Sequence, residues 1–201
     1  MDEPQLYVIS GAAQGTSFSI RYYAQGKAVS KEEVDSIFRS LDASLSLYKE
    51  GSLINRFNAE GRVLMDQHMH WVVDASLQTA RLSDGYFDIT VRTLGLVWKQ
   101  NPKPRQRKIK QALKLTGEGL LRISGDSLIA TSTGVQIDCN GIAQGYSVDV
   151  VHDFLLGKGL TNFLVELGGE IRVRGIGAGD RGWRIGIEPS DNVIGLVDRA
   201  V

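Results

Sequence analysis

Val135-Gln-Ile-Asp-Cys-Asn-Gly-Ile-Ala-Gln-Gly-Tyr-Ser-Val-Asp149 decides how this chain is read. A β-prone run, Val135 to Ile137, stops at Asp138, passes through Asn140-Gly141 and goes straight into a helix. Such a corner gathers a fixed carboxylate, backbone carbonyls able to ligate a hard cation, and helix-start N–H groups that attract phosphate. The same residues make an ordinary strand–turn–helix connection capped by Asn140. Spacing alone does not separate the two readings.

Working outward, Leu6–Ser10 and Thr16–Tyr23 read as strands joined through Gly11-Ala-Ala-Gln-Gly15. Ser30-Lys-Glu-Glu33 is a capping box, because hydroxyl and carboxylate can each accept from the other residue's free N–H. The helix it opens carries Val34, Ile37, Phe38, Leu41 and Leu45 on one face. Asp66 caps a second helix with Met69, Val72, Val73, Leu77 and Ala80 as its apolar stripe, and Gly85 follows its end. Short strands and tight turns fill Leu120–Asp138, including Ser124-Gly-Asp126. The helix after the motif turns Val148, Val151, Phe154 and Leu155 inward and ends at Gly157 or Gly159. Three strands follow, Asn162–Leu167, Glu170–Gly175 and Trp183–Ile187. Strand and helix do not alternate as a doubly wound parallel sheet requires, so the fold class expected is α+β, with mixed or antiparallel sheets and packed helices.

Composition excludes several function classes. Lys+Arg and Asp+Glu balance at 23 each, so no global field recruits nucleic acid. The one concentrated basic run, Lys103 to Lys110, follows Pro102 and leads into a short amphipathic helix whose solvated face it forms. Cys139 stands alone and rules out an internal disulfide framework. His68 and His70 fall on different sides of a helix and His152 is remote, so no cluster has zinc-ligand spacing. The 23 glycines include no Walker or Rossmann loop, and no Gly-x-Ser-x-Gly elbow is present. No apolar run is long enough to span a bilayer, and no export signal is visible at the N-terminus.

What remains is an ordered set: Gln14-Gly-Thr16, Leu41–Tyr48, Ser52–Asn58, Ser83–Val91, Asp138–Asp149, Glu166-Leu-Gly-Gly-Glu170 and Gly182–Pro189. In this order and at these separations it resembles the FAD:protein FMN transferase family, the ApbE flavin transferases, from about Gly11 to Pro189. The resemblance implies an ApbE-like fold, with 1–201 as a flavin transferase domain lacking its C-terminal portion. It also implies an enzyme that takes FAD as substrate and uses Mg²⁺. A Thr or Ser hydroxyl of a target flavoprotein attacks the FAD pyrophosphate, leaving FMN phosphodiester-linked and releasing AMP.

Residue by residue, Tyr86-Phe-Asp88 resembles the family's Ala-Phe-Asp flavin-binding segment, where ring stacking and a carboxylate acceptor are both useful. Without the resemblance, Phe87 reads as core and Asp88 as a turn cap. Tyr48 matches the aromatic over the flavin, or else is a helix-end Tyr packed on Phe57. Gln14 stands where Met commonly precedes Gly-Thr, and a contact through its backbone alone is one reading. Asp138 matches a nucleotide ligand, and Gly141 the position whose carbonyl ligates magnesium. Mg²⁺ takes oxygen donors in an octahedron at about 2.1 Å, and a carbonyl needs no particular side chain. Gln144 replaces the family's Lys, exchanging a point charge for a neutral hydrogen bond. Cys139 reads as a buried small residue whose pKa the adjacent Asp138 raises.

Family members continue into a Thr-Ser-Gly-x-Tyr segment and a His…Asp-Pro…Thr-Gly segment that carries further metal ligands; this sequence stops at Asp198-Arg-Ala-Val201. The expectation is a piece of a longer protein, inactive by itself. Two other readings stay open: a non-catalytic FAD-binding module, and an FAD pyrophosphatase giving free FMN and AMP. The resemblance further implies a periplasmic setting with a lipid anchor upstream of this sequence, and an uncovered sheet edge leaves self-association open.

Overall fold

The computed structural model describes residues 3–179, 181–187 and 192–201. In chain order the elements are β1 (Gln5–Ala13), β2 (Thr16–Ala24), α1 (Lys31–Leu45), α2 (Leu53–Glu60), β3 (Arg62–Leu64) and α3 (Gln67–Leu82). A 3-10 turn at Ile89–Val91 leads into α4 (Arg92–Gln100) and α5 (Gln106–Leu113). Then come β4 (Leu121–Ser124), β5 (Ser127–Ala130), α6 (Asn140–Gly157), β6 (Phe163–Leu167), β7 (Glu170–Arg174), β8 (Trp183–Ile187) and β9 (Asn192–Leu196). Every ladder between these strands is antiparallel, and with the helices they make the α+β architecture expected. No helix among the described residues is long and apolar enough to cross a membrane. Two compact units result, Met1–Arg39 with Gln144–Val201, and Ser40–Ala143; the chain passes between them inside α1 and again inside α6.

The first unit is built on the sheet β1-β2-β6-β7. Gln14 (φ 52°) and Gly15 (φ 78°) close the β1–β2 hairpin as a two-residue left-handed turn, the kind whose twist matches the flanking strands. Gly11–Ala13, read from sequence as connection, belong to β1. Gly11 tolerates this because it has no side chain: a Cβ there would stand 2.8 Å from Phe18 Cε1. On β2, Phe18, Ile20 and Tyr22 are buried and alternate with outward residues. Phe18 packs on Phe38 of α1 at 4.9 Å between ring centroids, and His152 of α6 packs on Phe163 at 5.0 Å, so helices cover this face. The capping box forms, with Ser30 N–H donating to Glu33 Oε2 (2.9 Å) and Glu33 N–H to Ser30 Oγ (3.2 Å). On the other face, the β8–β9 hairpin seats Trp183 and Leu196 against Leu164 and Val173.

The second unit carries the small sheet β3-β5-β4. Asp66 caps α3 by accepting from Met69 N–H at 2.8 Å, and the stripe Met69, Val72, Val73, Leu77 and Ala80 is buried as expected. Gly85 (φ 80°) donates back to Ala80 O at 2.8 Å and ends that helix. Val135–Ile137 is not a strand. Val135 and Ile137 are buried, but the run joins no ladder among the described residues; the side-chain amide of Asn58 takes the place of a neighbouring strand. Asn58 Oδ1 accepts from Ile137 N–H (2.7 Å), and Asn58 Nδ2 donates to Ile137 O (2.9 Å).

Candidate functional site

The Ser40–Ala143 unit holds the corner singled out in the sequence. Asp138 N–H donates to Ile89 O (2.8 Å), tying this corner to the segment that follows Tyr86-Phe-Asp88. A Cβ on Gly141 would lie 3.3 Å from Phe87 Cε2, so the first turn of α6 rests on the Phe87 ring. Two segments about fifty positions apart in sequence therefore meet here. Asp138 Oδ1 accepts from Asn140 N–H at 2.9 Å. The carbonyl of Cys139 receives the first helical bonds, from Ile142 (3.0 Å) and Ala143 (2.8 Å). The cap position is thus Cys139, not Asn140, and the neighbouring carboxylate supplies the oxygen that Cys139 lacks.

Asp88 does the work of a cap as well. Its Oδ1 accepts from Thr90 N–H (2.8 Å) and from the Thr90 hydroxyl (2.7 Å), and that hydroxyl in turn accepts from Gly117 N–H (2.7 Å). Phe87 is half-buried rather than core, and its N–H donates to Ser83 Oγ at 3.1 Å. Tyr86 is 97% exposed and Tyr48 90% exposed. Tyr48 is therefore not packed on the fully buried Phe57; it sits on the bend after α1, with its N–H bonded to Ser46 Oγ. Burial, reinforced by the negative charge of Asp138, pushes the Cys139 thiol up to about 12, which leaves it a packing residue rather than a nucleophile.

The other unit gathers Gln14 and Gln144. Gln14 Nε2 donates to Ser147 Oγ (2.7 Å), so the residue engages the protein through its side chain and not its backbone alone. The amide of Gln144 lies directly over Gly168 (φ 58°), where a Cβ would collide with it and with the Thr16 methyl. Gly168 N–H donates to Ser17 O (3.1 Å) and Gly169 N–H to Glu166 Oε1 (3.2 Å), which fixes the β6–β7 turn beside these amides. Ser147 and Asn58 are the residues that sequence reasoning passed over. Both stand inside quoted motifs, which was the available signal.

Gly141 contributes a main-chain carbonyl in a helical turn, and half of the Asp138 carboxylate is committed to the Asn140 N–H. Among the described residues no three His, Cys, Asp or Glu side chains stand together as a metal would need. The donor set of the described residues does not make a magnesium shell.

The sequence profile of the ApbE family matches residues 14–201. The chain belongs to the ApbE family. Among similar proteins, the FAD:protein FMN transferase of Vibrio cholerae serotype O1 (strain ATCC 39541 / Classical Ogawa 395 / O395) is 32% identical over 194 residues, covering 90% of this chain and 58% of the relative. The FAD:protein FMN transferase of Haemophilus influenzae is 27% identical, covering 92% and 59%. Among solved structures, the flavin transferase ApbE from Vibrio cholerae superposes with a TM-score of 0.89 at 28% identity, covering 98% of this chain and 70% of that one. The flavinyl transferase ApbE of Pseudomonas stutzeri does so with 0.88 at 32%, covering 98% and 69%. The chain spans about three-fifths of the length of these curated relatives. Glu188-Pro189, the end of the last quoted motif, lies outside the described residues.

Proposed function

We propose that this ApbE-family chain is the FAD-binding part of a flavin transferase. The observation that carries the reading is the Asp138–Ile89 bond with Phe87 beneath Gly141. It places an aromatic ring, a carboxylate and a helix start together in one unit. In this reading Phe87, with the exposed Tyr86 and Tyr48, holds the isoalloxazine, and Asp88 and Asp138 accept ligand N–H or O–H through the oxygens not used for capping. Gln14 and Gln144, which stand in the other unit, enter this reading only through the family resemblance, as neutral amides available to a nucleotide. The whole protein then moves FMN to a Thr or Ser of a target flavoprotein. The hydroxyl oxygen bonds to the flavin-side phosphorus, the P–O bond to AMP breaks, AMP leaves, and the hydroxyl proton is released. The magnesium that the family resemblance implies needs oxygen donors beyond those described, so the 201-residue chain by itself is proposed to bind FAD without turning it over at normal rates. The proposed setting is periplasmic, with a lipid anchor on the whole protein; fractionation of cells carrying the full gene checks it.

A flavin-fluorescence titration of the 201-residue chain with FAD, followed by mass analysis of a Thr-bearing acceptor incubated with chain, FAD and Mg²⁺, tests the reading. FAD binding is expected; absence of binding overturns it. A mass gain matching FMN with AMP release at normal rates would overturn the proposed inactivity of this chain. Free FMN and AMP without a labelled acceptor would select the pyrophosphatase reading. The neutral Gln144 gives specific support to a second reading, a non-catalytic FAD-binding module. Binding without products would be shared with the transferase fragment, and assay of the full gene product separates the two.

A further inference from the structure

The sheet face opposite the helices carries an arginine-lined hollow that the flavin reading does not use. On β2, Arg21 and Tyr23 point away from the buried Phe18, Ile20 and Tyr22. In register across β1, Val8 stands opposite Arg21 and Leu6 opposite Tyr23. The β8–β9 hairpin covers Leu164 and Val173 on this face but stops short of β1, where Leu6 and Val8 remain 48% and 57% exposed. Beside the hairpin lies a cavity of about 530 Å³, walled by Leu6, Arg21, Tyr23, Arg181, Trp183 and Arg184. That volume falls in the range of small-molecule sites, roughly 300–1,000 Å³. Thr16 to Tyr23 is seven residue steps along the strand, about 23 Å at ~3.3 Å each, so the hollow lies at the far end of the sheet from Gln14.

Its rim is built, not loose. Both main-chain groups of Gly177 are held by the Asn162 side chain, at 2.9 Å each. A Cβ on Gly182 would strike the Leu196 carbonyl, and one on Gly195 the Arg181 carbonyl, so the loop backbone is pressed onto the hairpin on both sides. Trp183 is anchored by its Nε1–H donating to Arg174 O at 3.1 Å. Two other arginines of this unit have carboxylate partners, Arg172 with Asp149 (2.7 Å) and Arg174 with Asp198 (3.6 Å). Among the described residues, Arg21, Arg181 and Arg184 have none, and no carboxylate lines the cavity. Among the described side chains, three like charges around one apolar-floored hollow favour an anion there; Asp180, next to Arg181 in the chain, lies outside the described residues.

We propose that this hollow is a binding site for a small organic phosphate, its dianion held by Arg21, Arg181 and Arg184 and its flat apolar part against Leu6 and Tyr23. Guanidinium forks match the terminal oxygens of a phosphate monoester, which offers three acceptors to three donors. The site is independent of the flavin proposal and stands or falls without it.

Trp183 is the natural reporter. In the 201-residue chain with Trp71→Phe and Trp98→Phe it becomes the sole tryptophan. Titration with phenyl phosphate is expected to change its emission saturably, while phenol leaves it without saturation. Arg21→Gln and Arg184→Gln, both on exposed side chains, should each weaken the phenyl phosphate affinity at least about tenfold. FAD affinity should stay unchanged in both. No saturation at millimolar phenyl phosphate, or equal affinity in the glutamine variants, overturns the site. Inorganic phosphate binding as tightly as phenyl phosphate overturns the apolar half of the assignment.

Discussion

Oδ1 of Asp88 is committed twice, to the N–H and to the hydroxyl of Thr90, and this lets its structural and ligand roles be measured apart. Asp88→Ala should cost about 1–2 kcal/mol in urea unfolding through loss of the cap. Asp88→Asn keeps a capping oxygen and should stay within about 0.5 kcal/mol of the parent. If the second oxygen serves FAD, both variants bind FAD more weakly in the fluorescence titration; unchanged affinity in Asp88→Asn would leave Asp88 a cap alone. Asn58 offers a sharper case. Asn58→Ala strips the partners from both main-chain groups of the buried Ile137, and each unpaired group costs about 1–3 kcal/mol. A loss of about 2–4 kcal/mol in the same unfolding assay is expected, with FAD binding impaired because Asp138 is next in the chain.

At the level of elements, what could be read from sequence is what local chemistry specifies. The Ser30–Glu33 box, the Asp66 cap and the Met69–Ala80 stripe are each complete within one helix, so spacing found them. Val135–Ile137 was misjudged because β-prone residues do not reveal their partner, which here is one amide side chain 79 positions away. α4 escaped notice because no side chain caps its start, and β9 because Gly195 looks like a loop residue. That glycine is present because the Arg181 carbonyl occupies the space of its Cβ. The capping box also makes stability depend on pH. Lys158 first, then the Ser30 N–H, holds the Glu33 carboxyl below its ordinary value of 4.5. A depressed folded-state pKa contributes stability that is present above the ordinary value and lost as pH falls through the folded one. Glu33→Gln keeps an acceptor but cannot titrate, so its Tm should fall less than the parent's between about pH 5 and about pH 3. Equal slopes in the two melting series would show that Glu33 does not carry this dependence.

For the whole molecule, the family is established by a match over residues 14–201 and by backbones that superpose with TM-scores of 0.88–0.89. Much of the candidate site was legible because its residues fall within ordered motifs. Their partners were not, since Gln14–Ser147 and Gly141–Phe87 are tertiary contacts between distant segments. Cys139 gives the molecule an internal clock. Sealed and protonated at neutral pH, its sulfur can meet a thiol reagent only when the corner around it transiently opens. The labelling rate under native conditions therefore counts openings per unit time. If flavin dinucleotide seats on that corner, adding it should slow the count in proportion to occupancy, and an unchanged rate at saturating flavin would show that the ligand rests elsewhere.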